Sequence, residues 1–200
     1  MCAISRRHPN HQAPGGTISR VMMSDVTIRE PPSLADYRES LRVVADAWHA
    51  GFDDIVSTAA LERMDQLEHD PETEQHYECY RSHHGMAQRL AYDGDAVVGA
   101  GSIIWAPAQT KEFVDPSSAE IRTLYVHPDR WRTGIGTALL HELVAIPPPK
   151  FDRIVLETFA ENAHGRSFYR ANGFSPCGTA TFSIAGSTYP TVILEKRRPD

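Results

Sequence analysis

The chain has 200 residues and a mass of 22.3 kDa, which is room for one domain of ordinary size. At 41% hydrophobic it can fill a core without disulfide or metal staples, so disorder is excluded as a description of the whole. The formal charge of −6 is unevenly placed: Arg6, Arg7 and Arg20 stand in residues 1–23 without an acid, which leaves −9 on the rest. An acidic body argues against a general nucleic-acid binder, whose affinity rests on neutralising phosphates. Cys2, Cys79 and Cys177 are scattered, odd in number and without metal-type pairing, which suits a reducing cytoplasm. No apolar run approaches the ~18–20 residues of a membrane span.

Residues 1–23 mix His, Pro, Gly, Ser and Arg and read as a disordered tail, with the folded domain at 24–200. Met23 stands just ahead of the strand-like run Val26-Thr27-Ile28, so a start there and a tethering tail are both open. Ser33 followed by Asp36 has the form of a helix cap, and Leu34, Tyr37, Leu41, Val44 and Trp48 then recur at helical spacing. A second, more polar helix is expected over Ala59–Leu67 and a third from Pro71 to His84.

The period then changes. Strands are predicted at 86–92 and 96–105, joined through Asp93-Gly94-Asp95, and again at 119–126. Helical spacing returns at 137–146 and stops at Pro147-Pro148-Pro149. Ile154–Thr158 reads as a buried strand, 163–172 as a helix ended by Asn172-Gly173, and two terminal strands flank Gly186. The expected class is a single α/β (α+β) domain.

The stretch from Ile121 to Leu140 carries the most chemistry. A strand runs into Arg130, Trp131, Arg132, Thr133, Gly134, Ile135 and Gly136, and an amphipathic helix follows. First-turn amides of such a helix lack intrahelical partners and face the positive end of its dipole. Glycines let a pyrophosphate reach the bare backbone, and the two arginines add charge. A dinucleotide fingerprint is rejected because Leu139 stands where a small residue is required and no acid follows at the right distance. A phosphate loop of the Gly-Lys-Ser/Thr type is absent as well.

With Leu124-Tyr125-Val126-His127-Pro128 ahead of Gly134-Ile135-Gly136, this loop resembles the pyrophosphate motif of the GNAT superfamily of acyl-CoA-dependent N-acyltransferases. Trp131 stands where that family usually has Gln or Arg. A second match, Asn162-Ala163-His164-Gly165-Arg166-Ser167-Phe168-Tyr169 through Gly173-Phe174, has Gly165 in place of Ala. The resemblance covers about residues 24–196 and is weakest between 50 and 85. It implies a mixed, twisted sheet of six or seven strands flanked by helices and splayed between strands 119–126 and 154–158. Acetyl-CoA, as co-substrate and without a metal, would lie in the gap. Its pantetheine would meet the backbone of Leu124, Tyr125 and Val126, and its pyrophosphate Arg132, Thr133, Gly134, Ile135, Gly136 and Thr137. Asn162 would face the cofactor.

Acyl transfer to an amine needs a base, a donor to the developing oxyanion and protonation or stabilisation of the leaving thiolate. By the resemblance Tyr169 is the acid, and the Val126 amide the oxyanion donor. Glu120 shares a side with Leu124 and Val126 by strict alternation, and Glu157 lies on the opposite lip. By the resemblance either is a candidate base, with water as the alternative, and each is equally a satisfied strand-end carboxylate. Phe52 and Asp53 follow the first helix and are candidates for the acceptor pocket. Trp105 either lines the same groove or packs in the core. His76, Cys79 and His83 share a helix face, a spacing that zinc can use but that a chain with ten histidines also produces by chance. The expected function is direct transfer of an acetyl group to a primary amine of a small molecule or peptide. The rival class is a non-catalytic acyl-CoA sensor of the same fold, and a homodimer is left open.

Overall fold

The computed structural model describes residues 26–82 and 84–198. The tail expected at 1–23 and His83 of the histidine face lie outside the described residues. The elements follow in the order β1 (Val26–Arg29), α1 (Leu34–Phe52), α2 (Thr58–Asp65), α3 (Thr73–Ser82), β2 (Met86–Asp93), β3 (Ala96–Ile104) and β4 (Ser118–Val126). The chain continues with α4 (Ile135–Ala145), β5 (Arg153–Phe159), α5 (Ala163–Ala171), β6 (Ser175–Ile184) and β7 (Ser187–Arg197). All seven strands form one sheet in the order β1-β2-β3-β4-β5-β7-β6, with β4 and β5 parallel and every other neighbouring pair antiparallel.

Local chemistry sets the helix starts. The Ser33 hydroxyl accepts from the Asp36 amide at 3.2 Å and donates to the Asp36 carboxylate, closing the first turn of α1. The stripe read from the sequence turns inward: Tyr37, Val44 and Trp48 are buried. Val44 and Trp48 pack with Leu90, Tyr92, Ala100 and Phe159 on one face of the sheet, and Tyr37 packs on Tyr77 and Tyr80 of α3. On the other face α4 buries Leu140 and Leu143 against Ile103, Ile121, Ile154 and Leu156. Each such side chain contributes about 1.5–3 kcal/mol of transfer free energy. Glycines in β3 let α4 come this close, because a Cβ at Gly101 would stand 2.6 Å from Leu143 Cδ1.

The sheet opens at one place. β4 and β5 pair only from Ser118↔Arg153 to Ile121↔Leu156, yet β4 runs on to Val126 and β5 to Phe159. Their outer edges stay paired throughout, β4 to β3 as far as Val126↔Gly99 and β5 to β7 as far as Phe159↔Thr191. The inner edges alone are free, and the gap between them is the expected splay.

A bulge sits at the fork. Opposite β3 the register passes from Ser102↔Thr123 to Ile103↔Ile121, so Arg122 is one residue too many on β4. Strict alternation fails there: Ile121 and Leu124, three apart, pack in the same cluster with α4, whereas Tyr125 packs on the α1 side. Glu120, adjacent to Ile121, comes out on the face opposite Leu124 and Val126. This corrects the expectation that it shares their side, since one inserted residue reverses every side chain beyond it.

Candidate active site

The gap between β4 and β5 opens into a groove of about 1260 Å³ lined from both faces of the sheet. Along its β4 wall the backbone is bare. The His127 amide donates to Val98 at 2.9 Å, toward β3. Amides alternate along a strand, so Tyr125 also turns to β3, while Leu124 and Val126 turn their N–H groups into the gap. The Val126 carbonyl faces the gap too, and the Trp131 indole N–H takes it at 2.7 Å. Trp131 also stacks on His164, with ring centres 5.5 Å apart. The tryptophan that departs from the motif therefore staples the end of β4 to the loop and to α5.

The loop beyond has two residues in the left-handed region, Arg132 at φ 63° and Gly134 at φ 93°. Gly134 is the N-cap of α4 and supplies no side-chain cap. The first-turn amides are left for another acceptor, in the type of concave backbone that binds anions. Arg130 is paired with Asp93, whereas the exposed Arg132 makes no ion pair among the described residues, so one of the two arginines has its charge free. Gly134, Gly136 and Thr137 all line the groove, and a Cβ at Gly136 would rest 3.5 Å from the Phe168 ring.

Asn162 also borders the groove, but its polar atoms are committed locally. Oδ1 accepts from the Gly165 amide at 2.8 Å, capping α5, and Nδ2 donates to Thr158 Oγ1 at 2.9 Å. The Asn of the second motif thus shapes the helix start at the groove, with one further hydrogen-bonding position left on each polar atom.

Tyr169, on α5, lines the groove and packs edge-to-face on Phe168 and Phe174 at 5.2 and 5.7 Å. Its hydroxyl makes no hydrogen bond among the described residues. Burial, with a smaller contribution from Tyr125, pushes its pKa well above the ordinary phenol value. Tyr125 is raised to about 12 by burial, with Trp48 pulling the other way.

The two glutamates differ sharply. Glu120 is 1% exposed, does not line the groove, and has its oxygens taken: Arg122 donates to both at 2.7 and 2.8 Å, and the Lys111 amide donates to Oε2 at 3.0 Å. Glu157 follows the last residue of β5 that pairs with β4, and it does line the groove. It accepts from the Thr191 hydroxyl and pairs with the Lys111 ammonium.

Beyond Glu157 the α1 side of the groove is aromatic. Trp48 meets Phe52 and Phe159 edge-on at 5.2 and 5.6 Å, and Phe159 meets Phe182 at 5.8 Å. Phe52 thus lines the groove, while Asp53 only ends α1. Trp105 does not reach it; it lies over the Phe151 cluster at the other end of the sheet, beside Pro107 and Pro116. Lys111, Phe159, Phe182 and Thr191 carry no motif. Lys111 alone left a signal, as one of three lysines against seventeen arginines. Among the described residues no group of three or more His, Cys, Asp or Glu gathers as a metal site, and no helix is long and apolar enough to cross a membrane.

A seven-stranded, mostly antiparallel sheet forked between two parallel strands, with a bare helix N-terminus at the fork, defines an α/β domain of the acetyltransferase class. Residues 49–174 match the Acetyltransferase (GNAT) family, and the chain belongs to it. The fold is also that of solved structures. The PaiA N-acetyltransferase of Thermoplasma acidophilum, in complex with coenzyme A, is 21% identical with a TM-score of 0.69, over 86% of this chain and 99% of that one. A GCN5-related N-acetyltransferase of Rhodopseudomonas palustris is 20% identical at 0.67, over 89% and 99%. The ribosomal-protein-S18-alanine N-acetyltransferase of Escherichia coli is 14% identical at 0.55, over 86% and 93%.

Proposed function

We propose that the protein moves an acetyl group from acetyl-CoA to a primary amine of a small molecule or peptide by direct attack, without an acyl-enzyme. The observation that carries this is the continuity of one groove from the bare α4 N-terminus, past the freed β4 amides, to Glu157 and Tyr169. Gly134 and the first-turn amides, with Arg132 and Thr137 beside them, would hold the pyrophosphate. The Leu124 amide would hold the pantetheine, and the Val126 amide would face the thioester oxygen as charge develops. Neither Cys79 nor Cys177 lines the groove, which supports direct attack. Both are free thiols, as suits a reducing cytoplasm.

Glu157 is the better-placed carboxylate to take the amine proton, because it faces the gap while Glu120 is saturated by Arg122 and Lys111. Tyr169 stays protonated at neutral pH. Its hydroxyl stabilises the departing thiolate chiefly by hydrogen bonding, since full transfer from a phenol to a thiolate of pKa near about 8.5 is uphill. Thiol release from acetyl-CoA across a panel of primary amines tests the reading. Saturable, amine-dependent release supports it, whereas tight binding of acetyl-CoA without release on any amine would make the domain a sensor.

A further inference from the structure

Lys111 stands in the loop between β3 and β4, outside every motif, yet its ammonium lies in the groove. Nζ pairs with the Glu157 carboxylate and sits 5.6 Å from the centre of the Phe182 ring and 5.8 Å from that of Phe113. A carboxylate with aromatic faces around it is how a protein receives an ammonium group. The pair is largely enclosed, with the Glu157 side chain 7% exposed and that of Lys111 30%.

The loop is held there by a buried anchor. The Lys111 amide donates to Glu120, and Glu120 is gripped by Arg122 at the bulge of β4. The side chain is thus delivered into the groove by its backbone. The other two lysines lie elsewhere: Lys196 donates to the Asn172 carbonyl at 2.8 Å, and Lys150 is exposed beside Phe151.

We propose that Lys111 is an acceptor for the protein's own acetyl-CoA, acetylated within the same molecule when no other amine displaces it from Glu157. The inference rests on the reading of the groove as the acetyl-CoA site. One ammonium proton leaves to solvent by way of Glu157, and the amine so freed attacks the thioester carbon. The N–C bond forms, the C–S bond breaks, and coenzyme A leaves as a thiolate stabilised by Tyr169. Of the two protons the nitrogen sheds in becoming an amide, one ends on the thiolate and the other in solvent. The product has lost its charge, so Glu157 loses its partner and the acceptor end of the groove holds a neutral side chain. Acceptor amines and Lys111 compete for one carboxylate.

The experiment is incubation of the full chain with acetyl-CoA, followed by proteolysis and mass spectrometry at each lysine. Lys111 should be acetylated at least about tenfold faster than Lys150, because proximity raises its effective concentration while Lys150 reports the uncatalysed background. The rate per molecule should not change on dilution. Glu157→Gln should slow Lys111 alone and leave Lys150 as it was. Acetylation of Lys111 no faster than Lys150 would overturn the proposal, provided that calorimetry still finds acetyl-CoA bound. A rate that rises with protein concentration would overturn it as well, since transfer would then run between molecules. Absence of acetyl-CoA binding would overturn the reading of the groove and this proposal with it.

Discussion

Asn162 folds over Gly165 so closely that a Cβ at residue 165 would stand 2.3 Å from Asn162 Nδ2. The glycine that interrupts the second motif is therefore required by the cap that begins α5. Ordinarily Gly→Ala in a helix gains up to about 1 kcal/mol. Here it must displace a cap that contributes about 1 kcal/mol. Gly165→Ala should leave the thermal midpoint unchanged or lower, and the same change in an Asn162→Ala background should raise it. A double-mutant cycle by thermal unfolding checks this; equal effects in both backgrounds would contradict it.

Glu120 and Glu157 should fail in different ways. Glu120→Ala leaves Arg122 without its partner in a half-buried site and should destabilise the fold by about 3 kcal/mol or more. Glu157→Gln keeps the shape and should lower kcat for an acceptor amine by about 10²-fold or more while the midpoint moves little. Denaturant unfolding and steady-state kinetics on the two variants separate the roles. A folded, stable Glu120→Ala enzyme with kcat reduced as far as in Glu157→Gln would restore Glu120 as the base.

Gly134 joins two requirements, a left-handed backbone at φ 93° and space for an anion. Asn tolerates the left-handed region and matches Asp in shape. Gly134→Asn should therefore cost little stability and weaken acetyl-CoA binding moderately, whereas Gly134→Asp should weaken it much further by adding a negative charge. Calorimetry with both variants checks the difference, and equal affinities would mean that the pyrophosphate lies elsewhere.

Burial raises the pKa values of Tyr37, Tyr125 and Tyr169. Above a pH of about 10, where free phenols ionise, the unfolded chain gives up protons that the folded chain keeps. The contribution of these tyrosines to stability should be flat below that point and fall above it, so stability should drop in alkali less steeply in Tyr169→Phe. The same shift means that turnover has no alkaline limb from Tyr169 in the range where acceptor amines deprotonate. Tyr169→Phe should lower kcat by about 10²-fold or more at every pH, with acetyl-CoA affinity kept. Near-normal kcat in that variant would make Tyr169 a packing residue.

Period and punctuation made most of the architecture legible: the triple proline ended α4, Asp93-Gly94 turned β2 into β3, and Tyr37, Val44 and Trp48 of the α1 stripe are buried, with Leu34 and Leu41 half-buried beside them. The bulge at Arg122 was not legible, because an extra residue in a strand leaves no mark in a pattern of apolar and polar residues. That one residue misassigned the face of Glu120. Lys111 could not be placed either, since its position depends on a loop pinned by a carboxylate nine residues further along the chain. Trp131 looked like a weakening of the motif, and its indole N–H instead holds the end of β4.

A groove that joins an acetyl group to an amine leaves a stoichiometric signature. The most direct measurement uses acetyl-CoA labelled in the acetyl carbons and counts labelled amide against free thiol for an amine that supports turnover. One labelled amide is expected for each thiol released, with both lost together in Gly134→Asp. Thiol released with the label recovered as acetate, or bound acetyl-CoA that never turns over on any amine, would contradict it.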